Sequence, residues 1–431
     1  MKTILVTAYA VHPEKGSEDG MGWHFIRQIA RFHRVVAVTR PNNRPAIERY
    51  FRQHPDPDTE ARLTMLYFDW PYWLRFWKRG PLLAMLYYYG WQLTLALWLR
   101  RKLHGPLAHL TVDLVHNLNF HNDWTPTFLH WLGKPLVWGP VGHHPPIPRP
   151  FLRPDYGWAA WGKDRLLWTM KRLFWRLDPF LAWGRRRAAH ILCMNPSAAE
   201  ALRLAPDRYS LMPSVASEAV EEPRTQPDEQ PEGQSGAARS ALFTVLSVGR
   251  FVALKGFPVT VRAFASFYRA LPPSNQARVR LTLIGRGPDE ARLRQLIREE
   301  GIEGCTELVA WLPRAELAAR YRSAAAFLFP SFEGAGMVVA EAMSYGVPVL
   351  CWDTDGPGAF TPPASGLRVA PAPPEQATAY LARHLRRLHD DPLLLDHERQ
   401  LARHHFAGAF DWQRRGEQLR QVYESVLATH A

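Results

Sequence analysis

Cysteine is scarce in this chain. Cys193, Cys305 and Cys351 are its three cysteines, far apart and each in an apolar or strand-like stretch. An odd count without ligand-like spacing argues against a disulfide framework or a cysteine metal site. Buried free thiols in a reducing compartment fit the pattern. No leader is expected either. The opening run Met1–Thr7 resembles a first buried strand, too short for a signal-peptide core and without a convincing cleavage site, so a cytoplasmic protein is expected. Acidic residues fall short of basic ones, 40 against 53, which leaves a formal charge of +13. Such an excess suits nucleic acid, an anionic membrane or a phosphorylated substrate. No RNA- or DNA-binding motif accompanies it, so nucleic acid ranks last.

What is present is a large, ordinary globular composition: 431 residues, 47% hydrophobic and 22% charged, with 17 tryptophans. That length exceeds one ordinary core and predicts two domains. Short apolar runs recur with helical stretches between them, at Thr3–Ala8, Arg34–Thr39, Leu63–Phe68, Asp113–Leu118, Pro135–Val141 and His190–Met194. A second series follows at Phe243–Val248, Arg280–Ile284, Thr306–Trp311, Ala325–Phe329, Val347–Trp352 and Gly366–Val369. Runs apolar on both faces indicate parallel strands buried between helix layers, an α/β doubly wound architecture occurring twice. The expected division is 1–205 for the first domain, 206–400 for the second and 401–431 for a tail. Tyr209–Val215 is read as the second domain's first strand, and 217–240, poor in large apolar residues, as a flexible loop. The tail carries an amphipathic helix with Trp412, Leu419, Val422, Tyr423 and Val426 as its apolar positions.

The most informative segment runs from Ser331 to Pro348. A strand stops at Pro330, a glycine-bearing loop holds Glu333, Gly334, Ala335 and Gly336, and a helix then opens at Met337 and Val338. A helix start offers N–H groups and a positive dipole end to a diphosphate. Glu333 in the loop and Glu341 inside the helix can accept hydrogen bonds from two sets of hydroxyls; a surface Glu and a helix-capping Glu are the plainer alternative. Two further strand ends supply Gly249-Arg250 with Lys255-Gly256, and Gly285-Arg286-Gly287-Pro288. Arg250 and Lys255 are cations suited to phosphate oxygens, or simply a solvated basic loop.

In order and spacing, Gly249-Arg250, Lys255-Gly256, Gly285–Pro288, Pro330-Ser331, Glu333–Glu341 and Gly346–Val349 resemble the retaining glycosyltransferases of family 4, with the GT-B fold of two Rossmann-like domains facing a cleft. The resemblance is dense from about residue 243 to 353. It implies that Arg250 and Lys255 bind the diphosphate of a nucleotide-sugar donor and that Glu333 holds the transferred sugar. Glu341 would hold the ribose, the backbone around Ala335–Val338 would touch sugar or phosphate, and Trp311-Leu312 would lie against the base. The family's tail helix crosses back onto the first domain. The resemblance also implies no cofactor and no obligatory metal; Asp353-Thr354-Asp355 has a metal-site spelling but follows the wrong strand.

In the first half, Gly16, Gly20 and Gly22 lie in a loop opening a helix through Ala30 and are candidates for the family's donor-facing glycine, or a plain turn. The family places a His after the fourth strand. Here His116 and His121 both qualify, His116 being preferred, and the usual His-x-His is broken by Leu118. A structural histidine accounts for either equally well. The turn Gly139-Pro140-Val141-Gly142 before His143-His144 resembles a subgroup linked to surface polysaccharide assembly; a paired-His metal site lacks a third ligand. The acceptor implied is a glycan or a polyprenyl-diphosphate-linked glycan. Leu82–Leu99 approaches membrane-spanning length but carries Gly90, Gln92 and three tyrosines, so a packed helix is expected. Trp158–Arg187 interleaves aromatics with basic residues, as on a helix lying on the inner face of an anionic membrane or on a solvated helix pair. The rival functions are another GT-B enzyme, an epimerase or phosphorylase, and a non-catalytic binder of anionic polymers.

Overall fold

The computed structural model describes residues 1–15, 17–78, 80–118, 123–214, 216 and 242–430. The chain divides into two compact units. The first comprises Met1–His143, Leu166–Ala216 and Trp412–Ala431; the second comprises His144–Arg165 and Ser217–Asp411.

The first unit carries, among the described residues, a seven-stranded parallel sheet: β1 Thr3–Ala8, β2 Arg34–Thr39, β3 Leu63–Tyr67, β4 Leu114–Leu118, β5 Leu136–Val141, β6 His190–Cys193 and β7 Tyr209–Leu211. Their order is β3-β2-β1-β4-β5-β6-β7. β1 sits at the switch point, with Leu5 opposite Val36 on one side and Val115 on the other. The apolar runs of β1, β2, β4, β5 and β6 are buried on both faces, which a parallel sheet covered by helices requires, while the edge strands β3 and β7 are only partly covered. The second unit repeats the plan with β8 Phe243–Val248, β9 Val279–Ile284, β10 Thr306–Val309, β11 Ala326–Phe329, β12 Val349–Trp352 and β13 Arg368–Val369. Its order is β10-β9-β8-β11-β12-β13.

Three segments depart from the expectation. Tyr209–Leu211 is not the start of the second sheet: it pairs with β6 as the edge of the first, Ile191 opposite Tyr209. A three-residue strand has too little pattern to declare its partner, and pairing decides it. Residues 144–165 fold with the second unit, although they precede the boundary expected at 205. They include the first part of the long helix Arg149–Leu177, which is interrupted at Gly157 (φ 76°). Asp155, buried on that stretch, takes bonds from Arg262 at 3.0 and 2.6 Å and from Arg292 at 3.1 Å. Ile147, Phe151 and Leu152 complete the second unit's core beside it. Finally, Gly20 and Gly22 lie within the helix Ser17–Ala30 rather than in a loop.

The stretch Leu82–Leu99 lies within the helix Gly80–Leu103. Tyr87, Trp91, Leu95 and Leu99, one turn apart, are fully buried in the first core. Among the described residues no helix is long and apolar enough to cross a membrane. The tail helix Trp412–Thr429 packs in the first unit. Trp412 stacks on His24 at 4.9 Å, and Leu419, Tyr423 and Val426 are buried. Each such side chain contributes roughly 1.5–3 kcal/mol of apolar burial.

Candidate functional site

The carboxyl ends of β8, β9 and β11 carry the second unit's candidate residues. β8 runs out into Gly249 and Arg250. Arg250 is exposed and has no ion-pair partner among the described residues. A short turn, Ala253–Lys255, then leads to Gly256, which is left-handed (φ 68°) at the start of the helix Phe257–Arg269. A Cβ on Gly256 would fall 2.0 Å from the Pro330 carbonyl oxygen, so only glycine lets this turn press against the loop after β11. Two bonds join the pair of loops: Phe332 N–H donates to the Leu254 carbonyl at 2.8 Å, and Ser331 Oγ donates to the same oxygen at 3.2 Å.

This contact brings Lys255 to Glu333. The ammonium lies 2.6 Å from Oε2 and 2.8 Å from Oε1, with only 18% and 12% of the two side chains exposed. Burial pushes the Glu333 carboxyl up, and Lys255 opposes that rise. Gly334 N–H donates to His144 Nδ1 at 2.7 Å, which leaves the ring's proton on Nε2. Ala335 and Gly336 are buried, and the helix Met337–Ser344 begins without a side-chain cap. The N–H groups of Met337 and Val338 in its first turn have no acceptor among the described residues. Glu341 follows one turn inside and takes a bond from the Tyr321 hydroxyl at 3.3 Å. Burial raises the Glu341 carboxyl too. Gly285 and Gly287, after β9, lie against the β8 loop: added Cβ atoms would fall 1.9 Å from the Gly249 oxygen and 2.2 Å from that of Phe251. Leu312 is half-buried beyond β10, beside the exposed Trp311. The structure therefore gathers two carboxylates, an ammonium and free helix N–H groups at one strand-end rim. Such a set can hold a polyhydroxylated, phosphorylated ligand.

The first unit's candidates fare differently. Gly16 and His121 lie outside the described residues. Gly20 and Gly22 serve their own chain: added Cβ atoms would fall 2.2 Å from the Lys15 oxygen and 2.1 Å from that of Ala10, so both glycines let the preceding segment cross the helix. His116 is fully buried, its Nε2 bonded to the Gly139 carbonyl at 2.9 Å and its Nδ1 2.5 Å from the Tyr423 hydroxyl. Nε2 must donate, so Nδ1 accepts. Burial lowers its pKa to about 4. With both ring nitrogens engaged internally, His116 takes the structural role rather than the preferred catalytic one.

Two residues absent from the expected site now appear. His144 holds the Gly334 amide, as above. His143 Nδ1 lies 2.6 Å from Oδ2 of the buried Asp123 and edges against Trp168. The adjacent histidines are thus committed to different partners, and among the described residues no group of three or more metal-ligating side chains forms. The doublet His143-His144 drew attention to them in sequence; their partners, 20 and 190 residues away, did not.

Two doubly wound parallel sheets in one chain, each ordered about a central first strand, make this a GT-B fold. Within it, residues 230–403 match the family of glycosyl transferases group 1. Anabaena HepE in complex with UDP superposes with a TM-score of 0.61 over 99% of this chain and 100% of that one, at 16% identity. Sucrose-phosphate synthase from Thermosynechococcus elongatus gives 0.62 over 100% of both, at 17%. At such identities the likeness speaks to the fold. In sequence, the chain is 34% identical to O-antigen chain mannosyltransferase B of Escherichia coli over 133 residues, 30% of this chain and 34% of that protein. It is 33% identical to D-inositol 3-phosphate glycosyltransferase of Corynebacterium jeikeium over 187 residues, 42% of each. The chain thus spans well under two thirds of the length of these curated relatives.

Proposed function

We propose that the chain is a retaining glycosyltransferase of family 4, which moves a sugar from a nucleotide-diphosphate donor to a hydroxyl of a glycan or polyprenyl-diphosphate-linked glycan in polysaccharide assembly. The observation that carries this reading is the Lys255–Glu333 pair beside Arg250 and the open first turn of Met337–Ser344. The HepE chains of like fold are described with UDP and with UDP-glucose, which makes uridine nucleotides the first donors to test. A lipid-linked acceptor goes with a peripheral place on the inner face of the cell membrane.

In this reading the diphosphate lies on the Met337 and Val338 N–H groups, with Arg250 as a bidentate partner and Lys255 as a point charge. The bond from the sugar's anomeric carbon to the phosphate oxygen breaks through an oxocarbenium-like state. The departing phosphate oxygen takes the acceptor hydroxyl's proton while that hydroxyl's oxygen bonds the same face of the carbon. Glu333, already neutralised by Lys255, positions sugar hydroxyls and forms no covalent bond. Glu341 holds the ribose, and no metal is required.

Transfer assayed with UDP-sugars in chelator tests this. Arg250→Ala should lower kcat/KM on the order of 100-fold or more, as loss of a charge-stabilising donor does. Full activity in Arg250→Ala or Glu333→Ala would refute the assignment. Epimerised donor without acceptor, or phosphate-dependent glucan breakdown, would replace it with another GT-B reaction.

A further inference from the structure

The first unit exposes a broad apolar face with a consistent charge. On the helix Arg149–Leu177, from Leu166 onward, Leu166, Met170, Leu173 and Leu177 recur at spacings of one turn. Leu166, Leu173 and Leu177 are exposed at 63%, 51% and 71%. The opposite side of this stretch is occupied: Trp168 is buried, and Phe174 packs on Tyr89. On the next helix, Pro179–Arg187, Phe180 and Trp183 continue the exposed stripe. Soluble surfaces seldom leave such a stripe uncovered.

The face does not stop there. Tyr89 belongs to the helix Gly80–Leu103, whose Leu86 is exposed, and the next residue, the buried Tyr87, packs on Trp70 and Trp77. Beside these tryptophans the short helix Tyr72–Arg75 and the residue after it expose Tyr72, Trp73 and Phe76. Large aromatic and leucine side chains are therefore exposed on four helical segments.

Charge distinguishes the occupant. Arg172, Arg176, Arg186 and Arg187 are exposed along the stripe. Asp178 is the only acidic residue between 166 and 187, and it caps Phe180 and Leu181 while taking a bond from the Tyr89 hydroxyl. Between residues 70 and 112 there is no Asp or Glu at all. A second copy of this face would meet four arginines with its own four. A bilayer bearing anionic headgroups complements it: leucines and aromatics enter the interface while the guanidinium groups meet phosphate.

We propose that this face docks the chain on an anionic phospholipid membrane. The proposal stands on the first unit's surface and needs nothing from the donor site. Flotation of the full chain with phosphatidylcholine vesicles, with and without phosphatidylglycerol, tests it. Binding is expected to the anionic vesicles and to weaken with salt. Arg172→Gln with Arg176→Gln should lower partitioning about 25-fold, near fivefold per cation. Leu173→Ser with Leu177→Ser should weaken it on the order of 100-fold at every salt concentration. Because all four side chains are exposed, the variants should fold, and UDP is expected to raise their melting temperatures by the same amount as the parent chain's. No uptake by anionic vesicles, or unchanged uptake by both variants, overturns the proposal. So does a dimer in sedimentation velocity that Leu173→Ser abolishes without any vesicle binding. Flotation with no UDP protection would instead remove the donor reading alone.

Discussion

Replacing Lys255 by Met strips the buried Glu333 carboxylate of its partner, whose ammonium lies 2.6 Å away. Glu333 can then stay ionised without compensation or take a proton. Its ordinary pKa of 4.5 sets the cost of the second course. Near pH 7 that is about 3 kcal/mol, which caps the destabilisation. The sign of the pH dependence follows. In Lys255→Met the folded carboxyl titrates above the unfolded one, so the missing stability is small near pH 5 and grows as pH rises toward 7. Urea unfolding at both pH values measures it; near pH 7 the melting temperature should also fall by on the order of 10 °C. Glu333→Gln added to Lys255→Met removes the orphaned charge and should recover most of the loss. Costs that are independent of pH, or that simply add in the double variant, would refute the coupling. UDP should protect the parent by about 2.7 kcal/mol at a hundredfold excess over its Kd, and protect Lys255→Met much less.

His116, with its pKa lowered to about 4 by burial, binds its proton in the unfolded chain first. Its share of stability is intact above about pH 6.5 and is lost, up to about 3 kcal/mol, as pH falls toward 4. His116→Gln should flatten that part of the urea-midpoint profile; an unchanged slope would refute the buried-neutral reading. Gly256→Ala combines a left-handed φ of 68° with a Cβ 2.0 Å from the Pro330 oxygen. Thermal unfolding should show a loss above the roughly 1–2 kcal/mol of the backbone term alone, together with weaker UDP protection. Asp155→Asn leaves Arg262 and Arg292 facing each other. The loss in urea should be about 2 kcal/mol, short of a fully buried pair because each arginine is about a third exposed.

Apart from β7, the strands were legible to within a residue or two because most of them are Val, Ile and Leu runs buried on both faces, and such runs have few other uses. The strand–loop–helix rim after β11 was legible for a related reason: Gly256, Glu333 and Met337 lie close in sequence to the strand ends that place them. What escaped depends on distant partners. Nothing near Tyr209 announces that it pairs with Ile191, nor near Asp155 that two arginines more than a hundred residues onward wait for it. Gly20 and Gly22 suggested a loop by propensity, yet helix packing against the Lys15 and Ala10 carbonyls prevails. His116 had the right place for a catalytic group, and only its bond to Tyr423, 307 residues on, reveals a core residue.

The tail helix Trp412–Thr429 gives synthesis an order of events. It supplies Tyr423 to His116 and Trp412 to His24, so the first unit needs residues from both flanks of the second. On the ribosome the first sheet must wait, its helix Ser17–Ala30 uncovered, while some two hundred residues of the inserted unit emerge and can fold as a unit of their own. The face of that helix which meets the tail thus stays uncovered longest, and any chaperone that attends this chain during translation would find its apolar target there.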